Sequence, residues 1–422
     1  MTSSLLAGRH AAAGGVDSAY AWMRLAVSLL ISAIGGVGMW SVVVALPTLQ
    51  AEFGVARADA SLPYTLTMVG VMFGSVLMGR LADRFGVVVP LTIGAAALGA
   101  GYVLASMATS LWQFALIQGV LIGLIGCSAS FGPLISDISH WFERRRGLAV
   151  ALAASGSYLA GTVWPPVVQH LIDGMGWREA HFGIGIFCVV TMLPLILVLR
   201  RRAPHQGIGA ADPLPSFTTA SLGISPRALQ GLLVLAGIAC CVAMSMPQVH
   251  IVAYCAGLGY GTARGAELLS VMLGFGIVSR LATGYIADRI GGLPTLLLGS
   301  ALQALALLLY IPFDGLVSLY VISALFGLSQ GGIVPSYAMI IRSYFPAAQA
   351  GTRVGLVLAA TVGGMAIGGW MSGKIFDLAG DYQAAFGNGA LWNLLHLAIA
   401  WFLFQRARRG PGARMTPVPA AS

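Results

Sequence analysis

Twelve apolar stretches, each long enough to cross a bilayer, constrain this chain more than any motif in it. A hydrocarbon core about 30 Å thick needs roughly 20 apolar residues of helix. Such stretches fall at 22–48, 61–82, 88–108, 111–138, 146–172, 180–199, 228–256, 265–287, 293–312, 315–341, 353–376 and 383–405. Backbone polar groups cannot remain unpaired in lipid, so stretches of this length predict helices. Glycine-rich runs such as "IGGVGMW" and "VGGMAIGGWMSG" predict close helix contact through small side chains. Prolines inside the stretches (Pro47, Pro63, Pro165, Pro166, Pro247, Pro335) are tolerable where neighbouring helices satisfy the freed backbone groups.

Composition agrees, since 58% of residues are hydrophobic and only 9% charged, against about a quarter charged in soluble domains. The net charge of +9 is nearly all arginine, Lys374 being the single lysine. The arginines cluster in "ERRR" (143–146), "RRR" (200–202) and "QRARRGPGAR" (405–414), between or after apolar stretches. Such clusters orient a protein beside anionic lipid, and they put both termini in the cytoplasm. No nucleic-acid partner is implied. The near absence of lysine reads as codon bias and suggests a bacterial inner (plasma) membrane. Cys127, Cys188, Cys240, Cys241 and Cys255 lie in apolar stretches without metal-ligand spacing, which predicts buried free thiols.

The chain repeats itself. "GRLADRFG" (79–86) follows the second stretch and "GYIADRIG" (284–291) follows the eighth, 205 residues later. "IDGMGWREAHFGIG" (172–185) is echoed by "FDLAGDYQAAFGNG" (376–389) at nearly the same offset. A six-span internal repeat is a transporter signature. The expected organisation is a flexible cytoplasmic tail (1–20), a six-helix half (21–200), a central cytoplasmic loop (201–227), a second six-helix half (228–405) and a basic cytoplasmic tail (406–422). The fold class expected is an all-α membrane protein of twelve helices in two pseudo-symmetric halves.

At "GRLADRFG" the chain resembles the major facilitator superfamily, whose loop motif after the second span runs glycine-x-leucine-x-aspartate-arginine-x-glycine. The basic residues usual beyond the last glycine are replaced here by "VVVP". "HWFERRRGLAVALAASGSYLAG" (140–161) is similar to the segment entering span five of monocarboxylate porters and oxalate–formate antiporters. The resemblance implies a secondary transporter, and it sets Arg280 at the family's substrate arginine. Two departures stand out. Many animal monocarboxylate porters carry an aspartate one turn earlier, where this chain has Gly276. The antiporter's mid-span lysine in span eleven has no counterpart, because Lys374 lies near the outer end.

Arg280 is the residue the chain must explain. Counted back from Asp288, it lies about 12 Å deep, at 1.5 Å per residue. A permanent cation there is costly and should face a cavity or a partner. Its planar fork matches a carboxylate, and no Asp or Glu falls at comparable depth in a span. The missing anion is therefore expected to be the substrate. The competing reading is a structural arginine held by backbone carbonyls at a helix break.

Other candidates follow from position. His250, beyond Pro247 in span seven with Tyr254 one turn on, is placed to carry a coupling proton; a hydrogen-bonded structural histidine is the plainer alternative. His396 in span twelve is a weaker candidate. Gln330 and Tyr337 in span ten, two turns apart, are expected to present polar atoms on one face. Gly79, Asp83, Arg84 and Gly86, with Gly284, Asp288 and Arg289 in the repeat, are expected to form a latch between the halves. The glycines would allow close helix approach, and Asp137 would pair with a basic residue of the network. Trp40, Trp164 and Trp370 are read as packing residues.

Nothing in the chain points to an enzyme. "GGWMSGKI" (368–375) imitates a phosphate-binding loop, but Ile375 replaces the required Ser or Thr and no strand precedes it. No catalytic or metal-binding residues and no cofactor are expected. The expected partners are a small carboxylate, a proton and the lipid bilayer, with the chain acting as a monomer. The alternatives are an organic-anion antiporter, a multidrug exporter, which the buried cation argues against, and a receptor on the same scaffold.

Overall fold

The computed structural model describes residues 15–201 and 222–409. The tails over 1–14 and 410–422 and most of the central loop (202–221) lie outside the described residues.

Twelve spans follow in order: span 1 (Ala19–Phe53), span 2 (Arg57–Phe85), span 3 (Val88–Ser106), span 4 (Leu111–Ser139), span 5 (Arg146–Met175), span 6 (Trp177–Val198), span 7 (Pro226–Gly257), span 8 (Thr262–Ile290), span 9 (Gly292–Leu309), span 10 (Leu316–Tyr344), span 11 (Gln349–Ala379) and span 12 (Gln383–Arg409). Each is a helix long and apolar enough to cross a membrane, and among the described residues there is no strand. Both described ends of the chain fall on one face of the bundle, the terminal face; the opposite one is the far face.

Several spans run past the apolar stretch that announces them, because caps rather than hydropathy end a helix. Span 1 opens one turn early, where the Ser18 hydroxyl accepts the Ala21 N–H, and closes at Gly54 in a left-handed turn. The repeat is visible in such turns. Gly86 (φ 82°) and Gly291 (φ 86°) end spans 2 and 8 in the same backbone conformation. Gly176 (φ 85°) and Gly380 (φ 80°) also close spans 5 and 11 at positive φ, the first extended in ψ and the second in a left-handed turn. A β-carbon would be strained at each, so the glycines of the two echoed motifs are needed for the chain to turn.

Spans are interrupted where sequence reading assumed continuity. Span 1 breaks at Gly36, span 5 at Ser155 and span 10 at Gly331–Gly332, and residues 118–127 of span 4 wind as a π-helix. Such breaks release backbone groups for other partners.

The two halves, spans 1–6 and 7–12, meet along two seams. Along one, span 2 packs on span 11, with Ala58 against Gly373, Tyr64 against Gly369 and Met72 against Gly363. Along the other, span 5 packs on span 8, with Gly161 against Leu273 and Tyr158 against Gly276. Beyond Met72 toward the terminal face, span 2 turns exposed apolar residues outward, Phe73, Val76 and Leu77.

Candidate functional site

The seam between spans 5 and 8 carries a charged side chain. A β-carbon at Gly276 would stand 2.6 Å from the Tyr158 ring, so only glycine leaves that ring its place. One turn further along span 8, the Arg280 guanidinium lies over the same ring, 4.6 Å from its centroid. Its Nη1 donates to the Ala154 carbonyl at 2.7 Å. That carbonyl is available because span 5 breaks at Ser155. Arg280 Nε is buried without a hydrogen-bond partner, and no hydrogen bond from Nη2 is found among the described residues. The edge formed by Nε and Nη2 is the one that meets a carboxylate in two parallel bonds. Arg280 is thus held across the halves by a carbonyl and an aromatic face, with that edge unmatched. The carbonyl at a helix break is the partner the structural reading anticipates, but it engages one of five donors.

His250 is fully buried in span 7. Its Nε2 faces the Gly369 carbonyl of span 11 at 2.8 Å, and its Nδ1 faces the Tyr382 hydroxyl at 3.3 Å. A carbonyl only accepts, so Nε2 carries the proton, and Nδ1 accepts from Tyr382 while the ring is neutral. Gln330 and Tyr337 take different hydrogen-bond partners. The break at Gly331–Gly332 separates them. Gln330 accepts a hydrogen bond from Gln248 of span 7, whereas Tyr337 pairs with His396 of span 12 at 3.1 Å. Both are buried within the second half, and neither bonds to Arg280.

The repeated loop motif looks different in its two copies. Asp83, Arg84 and Gly86 line a cavity of about 690 Å³ on the terminal face, together with Asp137, Arg24 and Arg200. Asp137 does find a basic partner, outside the motif: Arg24 of span 1, held fork to fork at 2.6 and 2.8 Å. Arg24 is 1% exposed; its Nη1 also reaches the carbonyls of Leu199 and Arg201, each at 3.0 Å, tying spans 1, 4 and 6 together. Asp83 and Asp288 are exposed, with no ion pair among the described residues, and Arg289 lies over the ring of Tyr285. The expected close helix approach at the motif glycines is not found. A β-carbon at Gly79, Gly86 or Gly284 would meet open space.

The far face is joined instead. Asp377 of span 11 accepts the backbone N–H groups of Arg57 and Ala58 that open span 2, each at 2.8 Å. The Arg57 guanidinium lies 4.9 Å from the Phe376 ring centroid and 5.9 Å from that of Tyr382. Sequence reasoning missed Arg24, Tyr158 and Asp377. Only Asp377 had a signal to follow, since the second echoed motif aligns it with Asp173. Trp40 and Trp164 donate to the Ser157 and Ala33 carbonyls within the first half, as packing residues do, while Trp370 is 40% exposed.

Comparison with known proteins agrees with the geometry. The chain is 30% identical over 314 residues to the MFS-type transporter opdF of Penicillium oxalicum, covering 72% of this chain and 71% of that one. It is 28% identical over 395 residues to monocarboxylate transporter 13 of Bos taurus, covering 90% of each. It is also 28% identical over 391 residues to monocarboxylate transporter 11 of Homo sapiens, covering 89% and 81%. Among solved structures, a bacterial homologue of the human lysosomal transporter Spinster, in an inward-facing and occupied conformation, superposes with a TM-score of 0.69 at 14% identity, over 94% of this chain and 99% of that one. A point mutant of the nucleoside transporter NupG superposes with a TM-score of 0.68 at 14% identity, over 90% and 99%. The family model of the Major Facilitator Superfamily matches residues 28–320 and 277–420. With twelve spans, a half-chain repeat and that match across nearly its whole length, this chain belongs to the Major Facilitator Superfamily and is a membrane transporter, not an enzyme.

Proposed function

We propose that the protein carries a small monocarboxylate across the bacterial inner membrane by alternating access, with the terminal face in the cytoplasm and Arg280 as the substrate's anchor. The observation that carries this reading is the buried, unmatched Nε of Arg280 beside a seam that joins both halves. A part-buried cation whose Nε is shut away from any acceptor is costly, and an arriving carboxylate would offset that cost. One fixed positive charge is neutralised by one carboxylate, which favours a monoanion over a dicarboxylate. The monocarboxylate transporters among the relatives support the same class. The joined far face and the open space around Gly79, Gly86 and Gly284 support a carrier open toward the cytoplasm. Substrate drives exchange between open states by binding the occluded state more tightly. Asp83 and its repeat Asp288 would close the terminal face in the opposite state, and a coupling proton would use His250. Gln330 and Tyr337, engaged elsewhere in this state, would enter the site only after rearrangement.

A second reading, exchange of one organic anion for another, is favoured by Gly276. Next to Arg280 the described residues supply an aromatic ring and a carbonyl, and no acid that could take up a proton.

Uptake of labelled mono- and dicarboxylates into proteoliposomes, with and without a pH gradient, separates these readings. In the same preparation, folded Arg280→Gln should lose affinity. Truncating one partner of a buried charged pair commonly costs about 2–5 kcal/mol, or roughly thirty- to several-thousand-fold. Arg280→Lys, which keeps the charge and loses the fork, should be intermediate. Near-wild-type carboxylate binding by folded Arg280→Gln would remove Arg280 from the site.

A further inference from the structure

The guanidinium of Arg280 is oriented from the opposite half of the protein. Its contacts across the seam, the Ala154 carbonyl and the Tyr158 ring, both belong to span 5. The carbonyl fixes one nitrogen, and the ring covers one face of the guanidinium plane. Together they leave the Nε–Nη2 edge as the approach for a carboxylate. Gly276 belongs to the same device, because a β-carbon there would stand 2.6 Å and 2.7 Å from two carbons of the ring. The ring also occupies the position one turn before Arg280 along span 8 from which an acidic side chain would neutralise it.

We propose that Tyr158 is the positioning residue for Arg280, and that with Gly276 it sets the affinity of the site for a monocarboxylate without touching the substrate. The inference rests on Arg280 being the substrate's anchor. The site is then complete only while spans 5 and 8 are in register, so substrate affinity follows the relation between the two halves. The aromatic face carries the larger part of the effect, and the hydroxyl, which also interacts with Arg280, the smaller part. A cation–aromatic contact of this kind is worth roughly a tenfold change in affinity when partly desolvated.

The test uses the full chain in proteoliposomes and a monocarboxylate that the wild type transports. Tyr158→Leu should raise KM about tenfold with a smaller change in maximal rate, and Tyr158→Phe should restore KM to within about threefold of wild type. Gly276→Ala, which displaces the ring while leaving Tyr158 in place, should raise KM likewise. The Gly276→Ala/Tyr158→Leu double variant should be no worse than the poorer single one, since both act on one contact. Unchanged KM in Tyr158→Leu would overturn the proposal, as would additive effects in the double variant. Should Tyr158→Leu fail to fold, Gly276→Ala and Tyr158→Phe decide the matter, because the proposal requires the first to weaken binding and the second to preserve it. Arg280→Gln separates the two claims. If Arg280→Gln loses carboxylate binding while Tyr158→Leu keeps it, the anchor stands and the positioning role falls.

Discussion

The carboxylate of Asp377 caps the backbone of Ala58 across the two halves, 2.8 Å from its N–H, with Arg57 N–H on the other oxygen. The repeat sets Asp173 at the matching place in span 5, but there the side chain accepts from Gln169 of its own helix at 2.7 Å. The far face is therefore fastened along the seam of spans 2 and 11, and this fastening has no counterpart at Asp173.

Removing that cap should loosen the far face. A carboxylate on helix N–H groups is worth about 1–2 kcal/mol, so Asp377→Ala should shift the equilibrium toward the form open on that face by roughly five- to thirtyfold. A cysteine at Thr65, which bonds the Ala366 carbonyl between the halves, should then be labelled faster from the far side in an otherwise cysteine-free protein. No change in labelling rate would deny Asp377 a role in closure.

Asp137 should matter for stability more than for rate. Replacing it by Ala leaves the buried Arg24 without its anion, a loss of about 3–5 kcal/mol and a fall of several degrees in Tm. The pair Arg24→Met/Asp137→Leu should recover much of the loss, since burying neither charge avoids the penalty. Thermal melts in detergent would show this, and an unchanged Tm in Asp137→Ala would contradict it.

Asp83 should behave in the opposite way. It is exposed and has no ion pair among the described residues, so Asp83→Asn should leave Tm within about 1–2 °C, as surface substitutions do. The hypothesis of a terminal-face latch requires slower exchange and altered thiol accessibility on that face. If neither changes, Asp83 serves orientation in the membrane alone.

For His250 the hypothesis is a proton-linked role, motivated by its link through Tyr382 to the Arg57 stack at the far face. Gln at this position keeps a donor for the Gly369 carbonyl and cannot titrate. His250→Gln should flatten the pH dependence of uptake while retaining counterflow. A pH profile matching the wild type would make the histidine structural.

How far the sequence could be read depended on the range of the interactions. Hydropathy sums over a whole span, so span 2 (61–82 by pattern, Arg57–Phe85 observed) and span 6 (180–199, Trp177–Val198) were legible to within a few residues. Arg280 was legible as a candidate because singling it out needs only a count along one helix. Tyr158 was not, since a seam between residues 122 apart leaves no local periodicity. Arg24 sits near a span end, where an arginine reads as an orientation signal, and its burial comes from the chain folding back at Leu199–Arg201. The partners of Gln330 and Tyr337 were out of reach for a related reason. Helical spacing says which residues line up along a span, and not which neighbouring spans supply Gln248 and His396.

At four of the seam contacts described above, the second half presents glycine: Gly363, Gly369 and Gly373 to Met72, Tyr64 and Ala58, and Gly276 to Tyr158. A glycine has no rotamer to lose or exchange. Sliding these surfaces past one another therefore asks spans 8 and 11 to repack backbone under side chains that belong to the other half. At those points the barrier to reorientation is set by lost van der Waals contact more than by side-chain entropy. Such a barrier is enthalpic, so transport should quicken steeply on warming, and alanine at Gly369, where a β-carbon would lie 3.0 Å from the Tyr64 ring, would roughen a surface that works by being smooth.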